Sequence, residues 1–189
     1  MGTKELAEVR ARRMLEVEGN VLEVGFGSGL NLPYYGAKVS KLYALDPSKV
    51  GLQLAKKRLG RVSFPVDLLP LPADGRITLD DASVDAVVTT WTLCTIPDPL
   101  AALREMHRVL RPGGRYYFVE HGLSPDPAVA KWQHRHDPIE MAIAGGCHFT
   151  RPIDALVKES PLELETVENF HLKGPKFATY LYFGSALRA

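Results

Sequence analysis

The sequence predicts an α/β fold in which helices cover both faces of a mostly parallel sheet, a doubly wound arrangement. Short runs rich in β-branched and apolar residues alternate with longer runs of helix-forming residues. The short runs are continuously apolar rather than alternating, as parallel strands buried on both faces require. The chain has 189 residues, 46% of them hydrophobic, which is enough for one domain with one core. We therefore expect a single domain over residues 1–189.

The predicted elements follow one another in a strand–helix alternation. Predicted strands lie at 20–24, 41–45, 61–66, 84–91 and 115–120, and predicted helices at 4–18, 48–59 and 99–110. The strongest strand signal is at 84–91, and Arg111-Pro112-Gly113-Gly114 ends the third helix with proline and two glycines. This order predicts right-handed βαβ units.

The C-terminal third departs from this alternation. Two β-like runs, 163–170 and 177–183, are separated by too few residues for a helix, so we expect an antiparallel hairpin at one edge of the sheet. The stretch 122–150 is predicted to be irregular and carries Trp132. Because it leaves the carboxyl end of the fifth strand, where ligands bind in open α/β sheets, we expect it to cover a substrate.

Composition excludes several classes of protein. A formal net charge of +1 argues against a nucleic-acid partner bound through bulk charge. No apolar run approaches the length of a membrane span, and Met1 to Arg13 does not resemble a signal peptide. The two cysteines, Cys94 and Cys147, form no CxxC pair. We expect a reduced, cytoplasmic protein that acts on a small molecule.

A glycine-rich turn follows the first predicted strand. Gly25, Gly27 and Gly29 let the backbone approach a ligand where a Cβ would clash. A dinucleotide fingerprint needs its third glycine at position 30, which is Leu30. The spacing therefore favours a nucleoside with a short tail over a nicotinamide cofactor, although such a turn alone is often only a tight loop.

Three carboxylates accompany this turn. Asp46, at the end of the second strand, is placed to accept hydrogen bonds from ribose hydroxyls, or else to cap the next helix. Asp74 follows the third strand and is a candidate acceptor for an adenine amino group, or a turn residue. Glu23 is a charge inside an apolar strand and needs a partner there, such as the ammonium of a bound amino acid.

These residues together resemble the Rossmann-type S-adenosylmethionine (SAM) methyltransferases. Residues 21–29 resemble the family's first motif, Asp46 its ribose acid, and 85–88 and 110–114 its strand-four and pre-strand-five motifs. The resemblance implies a Rossmann-like seven-stranded sheet with a reversed last strand, and SAM as cofactor. Asp74 fits the family's acidic adenine contact only after one inserted residue. The implied cofactor-binding residues are Glu23, Gly25, Phe26, Gly27, Gly29, Asp46, Pro47, Asp74, Thr92 and Leu93.

Further motifs are similar to the methyltransferase-like protein 7 group, which is associated with methylation of thiols. They are Leu93-Cys94-Thr95-Ile96, Glu120-His121, Trp132-Gln133, Asp137-Pro138 and residues 145–151. The resemblance implies methyl transfer to a small acceptor such as a thiol; lipid, quinone-like and amine acceptors and a non-catalytic SAM-binding protein remain alternatives. The group's hydrophobic N-terminal segment does not appear, and little sequence precedes the first strand. We therefore expect a second subunit of a homodimer, or the Trp132 region, to close the site.

Three residues are candidates for catalysis. His121 follows the fifth strand and is a candidate general base or acceptor-binding residue, or a histidine bonded to a nearby loop. Glu120 would orient His121 or bind a backbone amide, and Asp98 would take a proton or cap the following helix. We expect Cys94 to be a packing residue. No metal is expected, because His134, His136, Cys147 and His148 do not fit a common zinc spacing.

Overall fold

The computed structural model describes residues 4–72, 75–143 and 146–189. Within them, the strands are β1 (Gly19–Val24), β2 (Val39–Leu45), β3 (Val66–Leu69), β4 (Val84–Thr90), β5 (Leu110–His121), β6 (Glu163–His171) and β7 (Tyr180–Leu187). The helices are α1 (Lys4–Met14), α2 (Lys49–Leu59), α3 (Pro99–Val109), α4 (Pro127–Ile143), α5 (Ile153–Glu159) and α6 (Lys176–Thr179), with a 3-10 turn at Leu32–Tyr34. None of the helices in these ranges is long and apolar enough to cross a bilayer.

The strands form one sheet in the order β3-β2-β1-β4-β5-β7-β6. Neighbours from β3 to β5 pair in parallel, whereas β7 runs antiparallel to both β5 and β6. The seven-stranded, mostly parallel sheet and its reversed last strand are therefore confirmed. The antiparallel C-terminal pair is confirmed as well, with β6 on the edge and β7 inserted beside β5.

Successive residues of β1 point into two different cores, which is why helices are needed on both faces. Leu22 packs in a cluster with Leu103 of α3 and Ile153 of α5. Its neighbour Val21 packs in a second cluster with Met14 of α1 and Ala55 of α2. The doubly wound arrangement expected from the continuously apolar strands is confirmed.

The third strand was predicted at 61–66 but lies at Val66–Leu69. It is an edge strand whose first and last residues are half-buried and whose middle residues are exposed, so its apolar signal is weak. Pro65 cannot donate to a ladder, although its carbonyl accepts a hydrogen bond from Leu42 N at 3.0 Å. Regular pairing with β2 accordingly begins only at Val66.

The prediction of an irregular 122–150 stretch is wrong, because α4 occupies most of it. Asp126 Oδ1 accepts a hydrogen bond from Ala128 N at 2.9 Å and so helps to start the helix. Pro138 lies inside α4, where proline ordinarily costs about 3 kcal/mol and argues against a helix. Helix α5 was also missed, and the single turn of α6 separates β6 from β7, where no helix was expected.

Candidate active site

A cavity of about 990 Å³ opens at the carboxyl ends of β1, β2 and β4. Its size is at the upper end of the usual range for small-molecule sites, roughly 300–1,000 Å³. Asp98, a candidate catalytic residue, lines it. The predicted cofactor-binding residues that line it are Glu23, Gly25, Phe26, Gly27, Asp46, Pro47 and Thr92.

The glycine turn forms one wall of this cavity. Gly25 has φ +77°, and a Cβ added there would lie 1.9 Å from Thr92 Oγ1, so only glycine fits. At Gly27 an added Cβ would meet nothing closer than 3.9 Å and would stand at the wall of the cavity, where a ligand can lie instead. The bare backbone at this position fits a bound nucleoside.

Two of the predicted cofactor residues that the structure describes, Gly29 and Leu93, do not line the cavity. A Cβ on Gly29 would lie 2.9 Å from Leu32 Cδ1 and 3.1 Å from Phe26 Cζ, so this glycine permits packing beneath the turn. Leu93 is fully buried in the core that contains Leu22. Asp74 lies outside the described residues, although Gly75, next to it, lines the cavity.

Asp46 holds the glycine turn, and the helix-capping role considered for it belongs to its neighbour Ser48. Its Oδ2 accepts a hydrogen bond from Gly27 N at 2.7 Å, and its Oδ1 accepts one from Ser48 N, also at 2.7 Å. Ser48, not Asp46, caps α2 by accepting a hydrogen bond from Gly51 N. Each carboxylate oxygen retains a free lone pair, and Asp46 lines the cavity, so it can both hold the turn and accept hydrogen bonds from a ligand.

Glu23 is almost completely buried, and its partners belong to the chain itself. Asn31 Nδ2 donates to Oε1 at 2.9 Å, and the Tyr35 hydroxyl donates to Oε2 at 2.7 Å. Burial nevertheless raises the pKa of Glu23 to about 7. The sequence suggested that a bound ammonium would be the partner of Glu23. The chain supplies partners of its own, although Glu23 is still one of the residues that line the cavity.

Arg10 of α1 is a cavity residue that the sequence analysis missed. Its Nη1 donates to Asn31 Oδ1 at 2.5 Å and to Thr90 Oγ1 at 3.2 Å. Its guanidinium lies 4.6 Å from the centre of the Trp91 ring. A basic residue four positions before the buried Met14 lies on the core-facing side of a helix. This spacing could have indicated from the sequence that Arg10 points inwards.

Trp91 was also missed as a cavity residue. It follows β4 directly, has φ +53°, and lines the cavity. A left-handed backbone is rare for a bulky side chain, and such strain tends to be found at functional sites. Trp91 Nε1 donates a hydrogen bond to His121 Nε2 at 3.2 Å, so the indole separates His121 from the cavity.

The three candidate catalytic residues are not brought together. Asp98 Oδ1 accepts a hydrogen bond from Ala101 N at 2.9 Å, which caps α3 while the residue also lines the cavity. Glu120 is fully buried, and its Oε2 accepts hydrogen bonds from Thr92 N at 2.9 Å and Cys94 N at 3.4 Å. It therefore binds backbone amides, the alternative considered for it, and burial raises its pKa to about 7.

No described residue of the 122–150 stretch lines the cavity, so the expected cover is not seen. Trp132 is 54% exposed and stacks on His136, which stacks in turn on Phe177. Gln133 anchors the start of the stretch by donating to Gly122 O and accepting from Ser124 N. The wall beside Trp91 comes from Arg10 of α1 instead.

The histidines considered for a metal site are dispersed. His148 Nδ1 lies 3.0 Å from Asp137 Oδ2, His136 is stacked between aromatic rings, and His134 is exposed. A different group, Cys94, His121 and Cys147, is brought together. Sequence spacing gave no signal for it, because the three residues belong to three separate segments.

The strand order, the reversed β7 and a glycine turn hydrogen-bonded to an acid at the wall of a cavity define a Rossmann-like methyltransferase domain. A family model described as "Methyltransferase domain" matches residues 22–118, and the chain belongs to this family of SAM-dependent enzymes.

Relatives with named activities agree with this class. The chain is 35% identical over 136 residues to human thiol S-methyltransferase TMT1B, covering 69% of this chain and 54% of that protein. It is 34% identical over 166 residues to phosphatidylethanolamine N-methyltransferase of Cereibacter sphaeroides, covering 87% of this chain and 79% of that protein. The chain thus spans about half the length of the thiol methyltransferases that it matches.

Solved structures show the same fold at low sequence identity. A SAM-dependent methyltransferase from Methanosarcina mazei superposes with a TM-score of 0.68 at 18% identity, covering 94% of this chain and 95% of that one. A geranyl diphosphate methyltransferase in complex with SAM gives 0.71 at 16% identity, covering 98% and 85%.

Proposed function

We propose that this protein transfers a methyl group from SAM to a small-molecule thiol. The observation that carries the proposal is the cavity at the carboxyl ends of β1, β2 and β4, where the bare backbone of Gly27 faces Asp46. The similarity to thiol S-methyltransferases supports the choice of acceptor.

Each part of SAM has a candidate partner in the cavity wall. We assign the ribose hydroxyls to Asp46 and the adenosyl group to the open backbone at Gly27. We assign the ammonium to Glu23 and the carboxylate to Arg10, because both residues line the cavity and the charge of Arg10 acts on Glu23. SAM supplies a methyl group already activated on a sulfonium.

The acceptor occupies the remaining wall, formed by Trp91, Thr95 and Ile96. A thiol has a pKa of about 8.5 and needs little help to ionise, so positioning next to the methyl donor provides most of the acceleration. We assign Asp98 as the proton acceptor because it lines the cavity. His121 would act through the hydrogen bond from Trp91, and Glu120 by holding the amides of Thr92 and Cys94.

Methylation of a lipid amine is the second candidate. The phosphatidylethanolamine N-methyltransferase is matched over most of its own length, unlike the thiol methyltransferases. An amine with a pKa near that of lysine, about 10.4, must lose a proton before it can attack. That acceptor would therefore depend more strongly on Asp98 than a thiol does.

A panel of acceptors with labelled SAM separates the two candidates. We expect alkyl thiols to give labelled product and S-adenosylhomocysteine at a higher kcat/KM than phosphatidylethanolamine vesicles or a quinol. Product from the lipid amine without product from thiols would reverse the assignment. Turnover with none of them, although SAM binds, would favour a non-catalytic SAM-binding protein.

Calorimetry with SAM and two aspartate variants tests the cofactor site separately. We expect Asp46→Ala to weaken SAM binding at least about tenfold, or about 1.4 kcal/mol. Asp67→Ala is the matched control, because Asp67 lies on the neighbouring edge strand, pairs with Lys41 and does not line the cavity. Equal affinities for the two variants would contradict the assignment of Asp46.

We also propose a cytoplasmic location and a homodimer. The balanced charge supports the first, and a second subunit is supported because no described residue of the 122–150 stretch lines the cavity. Light scattering with and without SAM, and fractionation of the host cells, test these two points.

A further inference from the structure

Three side chains meet behind the cavity wall, and the proposed reaction uses only His121 among them, through Trp91. Cys94 lies in the loop after β4, His121 ends β5, and Cys147 follows α4, yet one potential ligand atom of each lies within 4.8 Å of the others. Cys147 Sγ is 3.2 Å from Cys94 Sγ and 3.9 Å from His121 Nδ1. None of the three lines the cavity.

Hydrogen-bond directions fix the tautomer of His121 in this cluster. An indole N–H can only donate, and Trp91 Nε1 donates to His121 Nε2. Nε2 is therefore the acceptor nitrogen, so the neutral imidazole carries its hydrogen on Nδ1, which faces Cys147. The sulfurs of Cys147 and Cys94 are also hydrogen-bonded to each other, at 3.2 Å. The Cys147 sulfur therefore lies between an imidazole N–H and a second cysteine sulfur.

The same directions argue against a metal ion. A metal bound at Nδ1 would move the imidazole hydrogen to Nε2, where it would face the N–H of Trp91. Two donors would then oppose each other in a partly buried place. The arrangement instead fits a thiolate at Cys147 beside a thiol at Cys94.

The surroundings distinguish the two sulfurs. Hydrogen bonding with Cys94 and with His121 lowers the pKa of Cys147 despite its burial. Hydrogen bonding with Cys147, together with burial and the nearby Glu120, raises the pKa of Cys94. Cys147 keeps 7% of its surface exposed and Cys94 none, so a small oxidant reaches Cys147 first.

We propose that Cys147 and Cys94 form an oxidisable pair, in which a peroxide attacks at Cys147 and Cys94 resolves the product into a disulfide. The Cys147 thiolate takes one oxygen of hydrogen peroxide and becomes a sulfenic acid, and the hydroxide that leaves takes a proton to form water. The Cys94 sulfur then attacks the Cys147 sulfur, an S–S bond forms and a second water leaves. Two thiols are oxidised by two electrons, and one peroxide is reduced to two waters.

Bond formation connects this pair to the cavity. The sulfurs must approach from 3.2 Å to about 2.05 Å. Cys94 lies between Thr92 and Thr95, which line the cavity, and its carbonyl already accepts a hydrogen bond from His148 N at 3.0 Å. Oxidation therefore draws the cavity wall towards the segment after α4 without unfolding. We expect methyl transfer to fall several-fold in the oxidised protein, an expectation that rests on the proposed function.

The purified full chain, reduced with a phosphine, provides the test, because a thiol reductant is itself a candidate acceptor. Treatment with hydrogen peroxide should remove both free thiols and lower the intact mass by two hydrogens. The chain has two cysteines in all, so any intramolecular disulfide joins this pair. The phosphine should restore both the mass and the activity.

Variants assign the two roles. Cys94→Ser should accumulate a sulfenic acid at Cys147 that a dimedone probe labels. Cys147→Ser should react with peroxide at least about tenfold more slowly, because Cys94 is fully buried and its pKa is raised. His121→Phe should slow oxidation of the wild-type pair, since it removes the imidazole whose Nδ1 faces Cys147.

Two outcomes would overturn the proposal. One is retention of both thiols at peroxide concentrations that oxidise an exposed thiol. The other is one equivalent of zinc in the purified protein, lost in both cysteine variants, which would make the cluster a metal site. Mass and thiol counts need no turnover, so they test the pair even if methyl transfer is never detected.

Discussion

The carboxyl ends of β1 and β2 differ from those of β4 and β5 in how the chain builds them. At β1 and β2, Gly25, Gly27 and Asp46 lie within about twenty residues and are joined by backbone hydrogen bonds. At β4 and β5, Trp91, Glu120 and residues after α4 come together from distant segments. The first end is a local motif, whereas the second is assembled by tertiary packing.

Because they are built differently, the two ends suit different tasks. The local end presents backbone and one acid to a ligand, which suits a cofactor that always has the same shape. The assembled end holds Trp91 in a left-handed conformation between Arg10 and His121. Changes in any of several segments alter this second end, so it is the part that can adapt to different acceptors.

Breaking the local end should give the largest effect. In Gly25→Ala the new Cβ would lie 1.9 Å from Thr92 Oγ1 at φ +77°. A left-handed alanine costs about 1–2 kcal/mol, and overpacking costs roughly another 1–3 kcal/mol. We expect chemical denaturation to show a loss of about 2–5 kcal/mol in the free energy of unfolding, and calorimetry to show little or no SAM binding.

Gly36→Ala is the control for this variant. An added Cβ there meets nothing within 4 Å, and its φ is not left-handed. Its free energy of unfolding should stay within about 0.5 kcal/mol of wild type. If Gly25→Ala behaved like Gly36→Ala, the close approach of Thr92 to the turn would be wrong.

Two arginines of α1 test whether the assembled end also holds the cofactor. Arg10→Met removes a buried guanidinium that bonds Asn31 and Thr90 and lines the cavity. We expect SAM binding to weaken about tenfold, or about 1.4 kcal/mol, measured by calorimetry. Arg12→Met is the control, because it removes an exposed partner of Glu168 and Arg12 does not line the cavity. Such exposed pairs contribute about 0–1 kcal/mol to stability.

The outcome distinguishes a ligand contact from a structural one. A loss of stability in Arg10→Met with unchanged SAM affinity would mean that Arg10 only supports Asn31. In that case the carboxylate of SAM would need another partner.

The contrast between the two ends also explains which parts of the fold and of the site could be predicted from the sequence. Strands β1, β2, β4 and β5 were predicted because each carries its own apolar run, and the cofactor turn was predicted because glycine spacing is local. Helix α4 was missed because Pro138 interrupts its pattern, and β3 was placed too early because the apolar signal of a half-exposed edge strand is weak. The spacing of Arg10 and Met14 indicated a core-facing side chain, but its contacts with Asn31, Thr90 and Trp91 depend on tertiary packing that no local pattern encodes.

Glu120 gives a smaller, pH-dependent test of the assembled end. Burial raises its pKa from 4.5 to about 7, and that of Glu23 likewise. The folded chain therefore binds more protons than the unfolded chain between these values, so stability falls as pH rises through this window. Glu120→Gln should reduce that fall by about 1 kcal/mol or more, measured by urea denaturation at several pH values.

The control for this titration is Glu159→Gln, because Glu159 is exposed at the end of α5. It should leave the pH dependence of stability unchanged. An unchanged slope in Glu120→Gln as well would show that folding does not raise the pKa of Glu120.

The two tryptophans of the chain provide the finest comparison. Trp132 on α4 is 54% exposed and lies away from the cavity, whereas Trp91 forms its wall. Trp132→Ala should change the KM for the acceptor and the Kd for SAM by no more than about twofold, within the usual range of surface substitutions. Trp91→Phe keeps an aromatic ring but loses the N–H to His121, and it should raise the acceptor KM several-fold in the same steady-state assay. If Trp132→Ala raised the KM as much as Trp91→Phe does, α4 would have to reach the acceptor during turnover, and the cover expected from the sequence would form only with ligands bound.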